Sequence, residues 1–265
     1  MIPDKFKGRA RRLDDVDLPR LGARIGVGED EIHAVLDVES RGSGFDRLGR
    51  PAMLFEPHVF WRELGEGSKR ARAAAAGLAY PKWRPGSYPP DSYPNLISAI
   101  AIDETAALRS ASWGLGQILG SNHVAAGYAS PQAMIAAFCD DEEAHLAAMV
   151  NFIRAAGIDD DLRAHDWAAF ARVYNGPGYA QHDYHGRLAR AYARWKGIKD
   201  TPWTSADAIK ETQQAEAAAA ARESLKPAPI PAPPAPIPVL PEPAPPPAPG
   251  FWARFWRALT KRMTP

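Results

Sequence analysis

Residues 31–40 read EIHAVLDVES, and the interpretation of the chain begins with them. Acids at 29–31 suit the first turn of a helix, and the Gly-Ser-Gly turn at 42–44 suits its end. Apolar side chains recur every three or four positions, so one helix face should be buried. The residues on that face are Ile32, Val35, Leu36 and Glu39. The segment therefore predicts a buried helix whose last turn carries a carboxylate.

Glu39 is poorly placed for an ordinary carboxylate. Desolvation disfavours its charged form, and so does the negative end of the helix dipole, so both effects should raise its pKa. A carboxylic acid that stays protonated near neutral pH can protonate a glycosidic oxygen. The alternative is a structural glutamate that reaches water or pairs with Arg41.

Composition excludes several classes of protein. The chain has 265 residues, a formal net charge of +1 and one cysteine. A single cysteine excludes an internal disulfide and any site built from several cysteines. The balanced charge argues against a dedicated nucleic-acid-binding protein. The seven histidines form no convincing ligand set, so we expect no metal and no cofactor.

The remaining pattern is mostly helical. A short hairpin or extended segment is expected within 48–60, and residues 112–118 form a small-residue turn that should lead into another helix. Helices are predicted within 62–76, 95–109, 131–156, 165–173 and 186–196. The expected fold class is mainly α, with at most a small β-hairpin.

The C-terminal quarter differs in composition from the rest. Residues 201–226 read as a helical spacer after a domain spanning 1–200. Residues 227–249 hold thirteen prolines and predict a disordered, extended linker. Residues 250–265 form a basic amphipathic helix with aromatic residues on one side, which suits an anionic membrane surface. Docking of this tail on the domain or on a partner is the alternative.

Four blocks in order resemble a known family. They are AVLDVESRGSGF at 34–45, PAMLFEPHVF at 51–60, SWGLGQILGSNH at 112–123 and FARVYNGPGYAQHDYHGRLARAY at 170–192. Together they resemble the N-acetylmuramidases found in endolysins of phages that infect Gram-negative bacteria. The resemblance covers roughly residues 6–197 and implies a lysozyme-like helical domain.

The resemblance also implies site residues. Glu39 matches the catalytic acid. Ser40, which is expected to contact substrate, completes a Glu-Ser pair that also closes a helix in soluble lytic transglycosylases. Gln117 lies in a turn similar to their Gly-Leu-Met-Gln turn and is expected to contact substrate. A further group, expected to line the saccharide cleft, consists of Tyr174, Asn175 and Tyr179. Gln117 could instead begin a helix packed on the core, and Asn175 could end one in an Asx turn.

Glu56 is the candidate second carboxylate, because it also lies among apolar residues. The alternative is a structural pairing with His58 or an arginine, and Asp46 is a weaker candidate for the same role. The separation of the two carboxyl groups would decide the stereochemistry. About 5–5.5 Å permits a nucleophile and retention, whereas about 6.5–9.5 Å leaves room for water and inversion.

The predicted function is a peptidoglycan hydrolase that cleaves the β-1,4 bond between N-acetylmuramic acid and N-acetylglucosamine, as a phage or prophage endolysin. The alternatives are a lytic transglycosylase, and a wall-binding or membrane-disrupting protein acting through its tail. We expect a monomer whose partners are glycan strands and, through residues 250–265, a membrane surface. With no signal peptide recognised, it would be made in the host cytoplasm and reach periplasmic peptidoglycan after holin-type release.

Overall fold

The computed structural model describes residues 6–39, 42–84, 88–176, 178–204 and 206. Ser40 and Arg41 lie outside the described residues, as do almost all of the predicted spacer and the whole of 227–249 and 250–265. The predictions made for those segments, and the domain boundaries drawn from them, therefore remain predictions. Among the described residues, no helix has the length and apolar character needed to cross a membrane.

Helices dominate the described part of the chain, as the sequence predicted. In order they are α1 (Asp17–Gly22), α2 (Glu29–Glu39), α3 (Pro57–Glu63), α4 (Ser68–Ala75), α5 (Tyr93–Ile100), α6 (Glu104–Arg109), α7 (Pro131–Asp140), α8 (Glu142–Ala155), α9 (Asp159–Arg163), α10 (Trp167–Tyr174) and α11 (Tyr184–Trp195). Short 3-10 helices lie at Ala23–Ile25 and Gly120–Asn122.

A small antiparallel sheet completes the fold. It contains β1 (Met53–Phe55), β2 (Ala111–Trp113) and β3 (Ile118–Leu119), in that order across the sheet. The prediction that the turn at 112–118 leads into another helix was wrong, because β2 and β3 pair as a hairpin across this turn. The segment 95–109, which was predicted as one helix, forms parts of two, α5 and α6. Helix α6 begins separately because the Asp103 side chain accepts a hydrogen bond from the Ala106 amide and caps it.

Two apolar clusters form the core. The first surrounds the sheet and the helices from α3 to α7, with Trp113 and Phe55 fully buried at its centre. The second joins α1, α2, α10 and α11, with Ile32 and Val35 of α2 fully buried. Helix α8 contributes to both clusters. Consequently the helix that carries Glu39 packs in the second cluster, whereas Glu56 directly follows β1, which packs in the first.

Two buried polar side chains of α8 hold segments next to these two clusters. The Glu142 carboxylate accepts hydrogen bonds from the backbone amides of Gly44, at 2.7 Å, and Leu13, at 3.2 Å, and lies 3.1 Å from the Arg12 guanidinium. His145 packs against Gly114, whose φ is +69° and where a Cβ atom would lie 2.8 Å from the ring. The loop after α2 and the hairpin turn are therefore both attached to α8.

His145 is held as a neutral imidazole. Its Nε2 lies 2.8 Å from the Phe138 carbonyl oxygen, which can only accept, so Nε2 carries the proton. Its Nδ1 accepts from the Leu115 amide at 3.4 Å. Burial lowers the pKa of His145 to about 4, against a smaller opposing effect of the Phe138 hydrogen bond. Protonation would place a second donor opposite the Leu115 amide.

This arrangement predicts a pH-dependent stability. Because the folded-state pKa of His145 lies below its ordinary value of 6.5, the unfolded state binds more protons between about pH 4 and 6.5. The contribution of His145 to the free energy of unfolding should be fully present above pH 6.5. It should be lost as the pH drops toward 4, by on the order of 3 kcal/mol. Burial also lowers the pKa values of His33 and His58, which adds to the same trend.

Urea unfolding followed across this pH range measures the effect. We expect His145→Gln to be less stable than wild type at pH 7 and to show a shallower pH dependence. His182→Gln, at an exposed position, is the control and should keep the wild-type slope. An unchanged slope in His145→Gln would contradict the prediction.

Candidate active site

Glu39 ends helix α2, and its carboxylate is mostly removed from solvent. The amide Nδ2 of Asn175 donates a hydrogen bond to its Oε1 at 2.6 Å. Burial raises the pKa of Glu39, while the Asn175 hydrogen bond and the positive charge of Arg187 act in the opposite direction. Desolvation is the largest of the three effects, so the carboxyl group is biased toward its protonated form, as the sequence predicted.

Arg187 holds the end of the same helix. Its Nη2 donates to the Val38 carbonyl oxygen at 3.0 Å, which satisfies one of the last carbonyl groups of α2. A cation at this end of a helix also offsets the negative end of the helix dipole. Sequence reasoning missed this residue, because nothing in the local pattern of α11 distinguishes it from Arg190 or Arg194.

Tyr174 connects Glu39 to the hairpin turn. Its hydroxyl donates to the Gly116 carbonyl oxygen at 3.1 Å. Burial and the nearby charge of Glu39 raise the pKa of Tyr174, which keeps the phenol neutral. The Asn175 Oδ1 atom is buried and accepts no hydrogen bond from the described residues. Adjacent residues at the end of α10 therefore contact both sides of the site.

Glu56 lies on the solvent-facing side of the small sheet. Met53 pairs with Trp113 and Leu54 with Ser112, so alternation directs Leu54, Glu56 and Ser112 to the face opposite the core. The Ser112 hydroxyl donates to Glu56 Oε1 at 3.2 Å, and His58 Nε2 lies 3.6 Å from Oε2. Burial lowers the pKa of His58, which favours a neutral imidazole beside this carboxylate.

The other predicted residues have local roles. The side-chain amide of Gln117 donates to the Gly114 carbonyl oxygen at 2.8 Å and stabilises the turn. The backbone of Gln117 in this turn has a φ of +47°. Tyr179 packs against the second apolar cluster and contacts the His185 ring edge-on. Substrate contact by either residue stays a prediction.

Asp46 organises its own loop. Its Oδ1 accepts from the backbone amides of Leu48 and Arg50, and its Oδ2 accepts from the Arg50 guanidinium at 2.7 Å. These hydrogen bonds give Asp46 a structural role in its loop. Glu56 is therefore a better candidate than Asp46 for the second carboxylate. Within the described ranges, no group of three or more His, Cys, Asp or Glu side chains is arranged to hold a metal ion.

Sequence reasoning also missed Glu142 and His145. They are three residues apart, so they share one face of α8, and both are fully buried. A glutamate and a histidine on the apolar face of a helix were the signal that could have identified them.

Comparison with known proteins identifies the family. The N-acetylmuramidase family model matches residues 29–196, which include Glu39, Glu56 and Asn175. The chain belongs to the N-acetylmuramidase family. It is a peptidoglycan hydrolase, and the resemblance found in the sequence is confirmed.

One solved structure supports the fold of this muramidase. The crystal structure of the Burkholderia AP3 phage endolysin is 37% identical, with a TM-score of 0.65. The match covers 71% of this chain and 73% of the endolysin chain. The predicted lysozyme-like, mainly helical fold is thereby confirmed. No match was found among curated proteins.

The environment of Glu39 predicts a change in the pH profile of the muramidase. The sequence-based expectation that Glu39 is the general acid requires a protonated carboxyl group, so activity should fall as the pH rises through the pKa of Glu39. In Arg187→Gln the charge that lowers this pKa is lost, and the amide can still donate to Val38. The alkaline limb of kcat should therefore move to higher pH.

Rates of peptidoglycan solubilisation measured from pH 4 to 9 test this expectation. Arg190→Gln is the matched control, because Arg190 lies on the same helix but pairs with Asp183 at 2.7 Å. Its alkaline limb should coincide with that of wild type. A limb that stays in place, or moves to lower pH, in Arg187→Gln would refute the assigned role of Arg187.

Proposed function

We propose that this peptidoglycan hydrolase cleaves the β-1,4 bond between N-acetylmuramic acid and N-acetylglucosamine, with Glu39 as the general acid. The observation that carries the proposal is the partly buried Glu39 carboxyl group at the end of α2, with its pKa raised by desolvation and a hydrogen bond from Asn175. A raised pKa favours the protonated carboxyl group, and this form supplies the proton that the leaving sugar oxygen requires.

The Asn175 amide suits both protonation states of Glu39. Its Nδ2 donates to the carboxylate at 2.6 Å. A half-turn of the amide group would present Oδ1 as an acceptor for the proton of the carboxylic acid. The acid can therefore lose its proton to the leaving group and regain it while it keeps a hydrogen bond to the same side chain.

Glu56 is the second carboxylate of the proposal. It lies on the solvent-facing side of the sheet, where Ser112 directs one oxygen and neutral His58 lies beside the other. A negative charge there would stabilise the oxocarbenium-like transition state or orient the attacking water. Glu56 is attached to the first apolar cluster and Glu39 to the second. This separation supports a substrate cleft between the two carboxylates.

The products of digestion test the role of Glu39. Wild-type protein should release fragments with reducing N-acetylmuramic ends from purified Gram-negative peptidoglycan, as measured by mass spectrometry. Glu39→Gln should release none at the same concentration, since an amide donates no catalytic proton. Asp37→Asn is the control on the same helix. It should remain active, because the Asp37 carboxylate accepts its hydrogen bond from Trp195 of α11.

Other products would change the assignment. Fragments with 1,6-anhydro-muramic ends would indicate a lytic transglycosylase, and fragments from Glu39→Gln would remove Glu39 from the reaction. The same proteins test the proposed role in host lysis, for which the phage endolysin likeness is the support. Wild type should lyse Gram-negative cells with permeabilised outer membranes, and Glu39→Gln should not. Killing by Glu39→Gln would favour membrane disruption by residues 250–265.

Glu56→Gln tests the second carboxylate separately. We expect kcat to fall about 100-fold or more, because the charge opposite the acid is removed while the shape of the side chain is kept. Thermal unfolding should change little. Glu66→Gln, at an exposed position after α3, should keep wild-type kcat. Full activity in Glu56→Gln would show that attack at the sugar needs no carboxylate at this position.

A further inference from the structure

The imidazole ring of His145 contacts two glycines that belong to different segments of the site. A Cβ atom at Gly44, in the loop after α2, would lie 2.3 Å from its Nδ1 atom. A Cβ atom at Gly114, in the hairpin turn, would lie 2.8 Å from the same nitrogen. Both segments can therefore approach the buried ring so closely only because each carries glycine at the point of contact.

The two ring nitrogens of His145 connect the hairpin turn to helix α7. Nδ1 accepts from the Leu115 amide at 3.4 Å, and Nε2 donates to the Phe138 carbonyl oxygen at 2.8 Å. Burial has a larger effect on the pKa of His145 than the charges of Asp141 and Arg12, so the ring is neutral near pH 7. A neutral ring in this orientation satisfies both partners, and the turn is held against α8.

Hydrogen bonds continue from this turn to Glu39. The Gly116 carbonyl oxygen accepts from the Tyr174 hydroxyl at 3.1 Å, and Asn175, the next residue, donates to Glu39 Oε1 at 2.6 Å. A Cβ atom at Gly116 would lie 3.1 Å from both the Met149 side chain and the Tyr174 hydroxyl, so the turn is tightly packed there. A displaced turn would remove the acceptor of Tyr174 and disturb the residue that bonds the acid.

We propose that His145 is a positioning residue for the reaction and orients the Glu39 carboxyl group through the hairpin turn. This inference rests on the function proposed above. His145 acts without contact with substrate, because the turn, Tyr174 and Asn175 lie between its ring and the acid. A displacement of about 1 Å at a reacting group can reduce the rate by about 100-fold, even when the mutated residue is remote.

Two substitutions of His145 separate positioning from stability. The shorter side chain in His145→Asn places its oxygen close to the position of Nδ1, so it can accept from Leu115 but not donate to Phe138. The longer side chain in His145→Gln places its amide close to the position of Nε2, so it can donate to Phe138 but not accept from the turn. Each variant loses one buried hydrogen bond, and the free energy of unfolding should fall by similar amounts in the two.

Kinetics measured well below the unfolding temperature of each variant test the proposal. We expect His145→Gln to lower kcat about tenfold with little change in KM, and its alkaline limb to move to higher pH. The limb moves in this direction because the Asn175 hydrogen bond lowers the pKa of Glu39, and a weakened bond raises it. His145→Asn should keep the wild-type limb and most of kcat. Tyr174 and Arg187, which carry the other titratable groups near Glu39, are the same in both variants.

His123→Gln is the matched control for loss of a buried histidine. His123 is also buried, and its Nδ1 lies 3.0 Å from the Gly120 carbonyl oxygen, beyond β3. This substitution should lower the free energy of unfolding but leave kcat and the alkaline limb at their wild-type values. A purely structural role of His145 would give the same result in His145→Gln.

A double-mutant cycle tests the route from His145 to Glu39. Tyr174→Phe removes the hydrogen bond to Gly116, which lies on the same route. The effects on kcat should therefore not add, and the double variant His145→Gln/Tyr174→Phe should be close to the slower single variant. Fully additive effects would overturn the route through the turn.

The side-chain amide signal of Asn175 in NMR spectra of ¹⁵N-labelled protein gives a readout that needs no activity. It should shift in His145→Gln and stay in place in His145→Asn. Equal losses of kcat in these two variants, an unmoved alkaline limb, or an unshifted Asn175 signal in His145→Gln would overturn the inference. If wild type releases muramic fragments while these outcomes occur, only this inference fails. If the Asn175 signal shifts as expected but wild type releases no fragments, the positioning contacts stand and the proposed function fails.

Discussion

The burial of α2 is the constraint on which the site depends. Its apolar face packs into the second cluster, and the helix ends one residue after Val38 at a carboxyl group that water reaches only in part. Burying a charge without compensation is costly, so the surroundings must either neutralise Glu39 or satisfy it. Asn175 supplies a hydrogen bond and Arg187 a nearby positive charge, but desolvation is the larger effect. The result is a carboxyl group that is held by a hydrogen bond and whose pKa is nevertheless raised.

The buried polar contacts of α8 keep the two sides of the site in register. Glu142 binds the amide of Gly44 in the loop that follows α2, and His145 binds the amide of Leu115 in the hairpin turn. Both side chains are fully buried, and each hydrogen bond is stronger there than in water because competing solvent is absent. Loss of one partner would leave a buried polar group unsatisfied. A movement of the loop or turn relative to α8 is therefore opposed by these bonds.

The two carboxylates have different environments, which suits different roles. Glu39 accepts a hydrogen bond from the Asn175 amide and lies near the positive charge of Arg187, whereas Glu56 lies beside the Ser112 hydroxyl on a solvent-facing sheet surface. Tyr174, through its hydrogen bond to Gly116, joins the helix end near Glu39 to the sheet that carries Glu56. Rigid elements, rather than loops alone, thus set the spacing of the groups.

The sequence by itself determined the buried helix with Glu39 at its end, the mainly helical class and the family, because local spacing and short motifs carry that information. It did not determine the β2–β3 hairpin, since a short run of small and apolar residues has no decisive period. Nor did it identify Arg187, Glu142 or His145 as parts of the site. Arg187 meets Val38 from 149 positions away, and Glu142 meets Gly44 from 98. Only the tertiary structure decides such contacts, because packing between distant segments, rather than local propensity, brings these partners together.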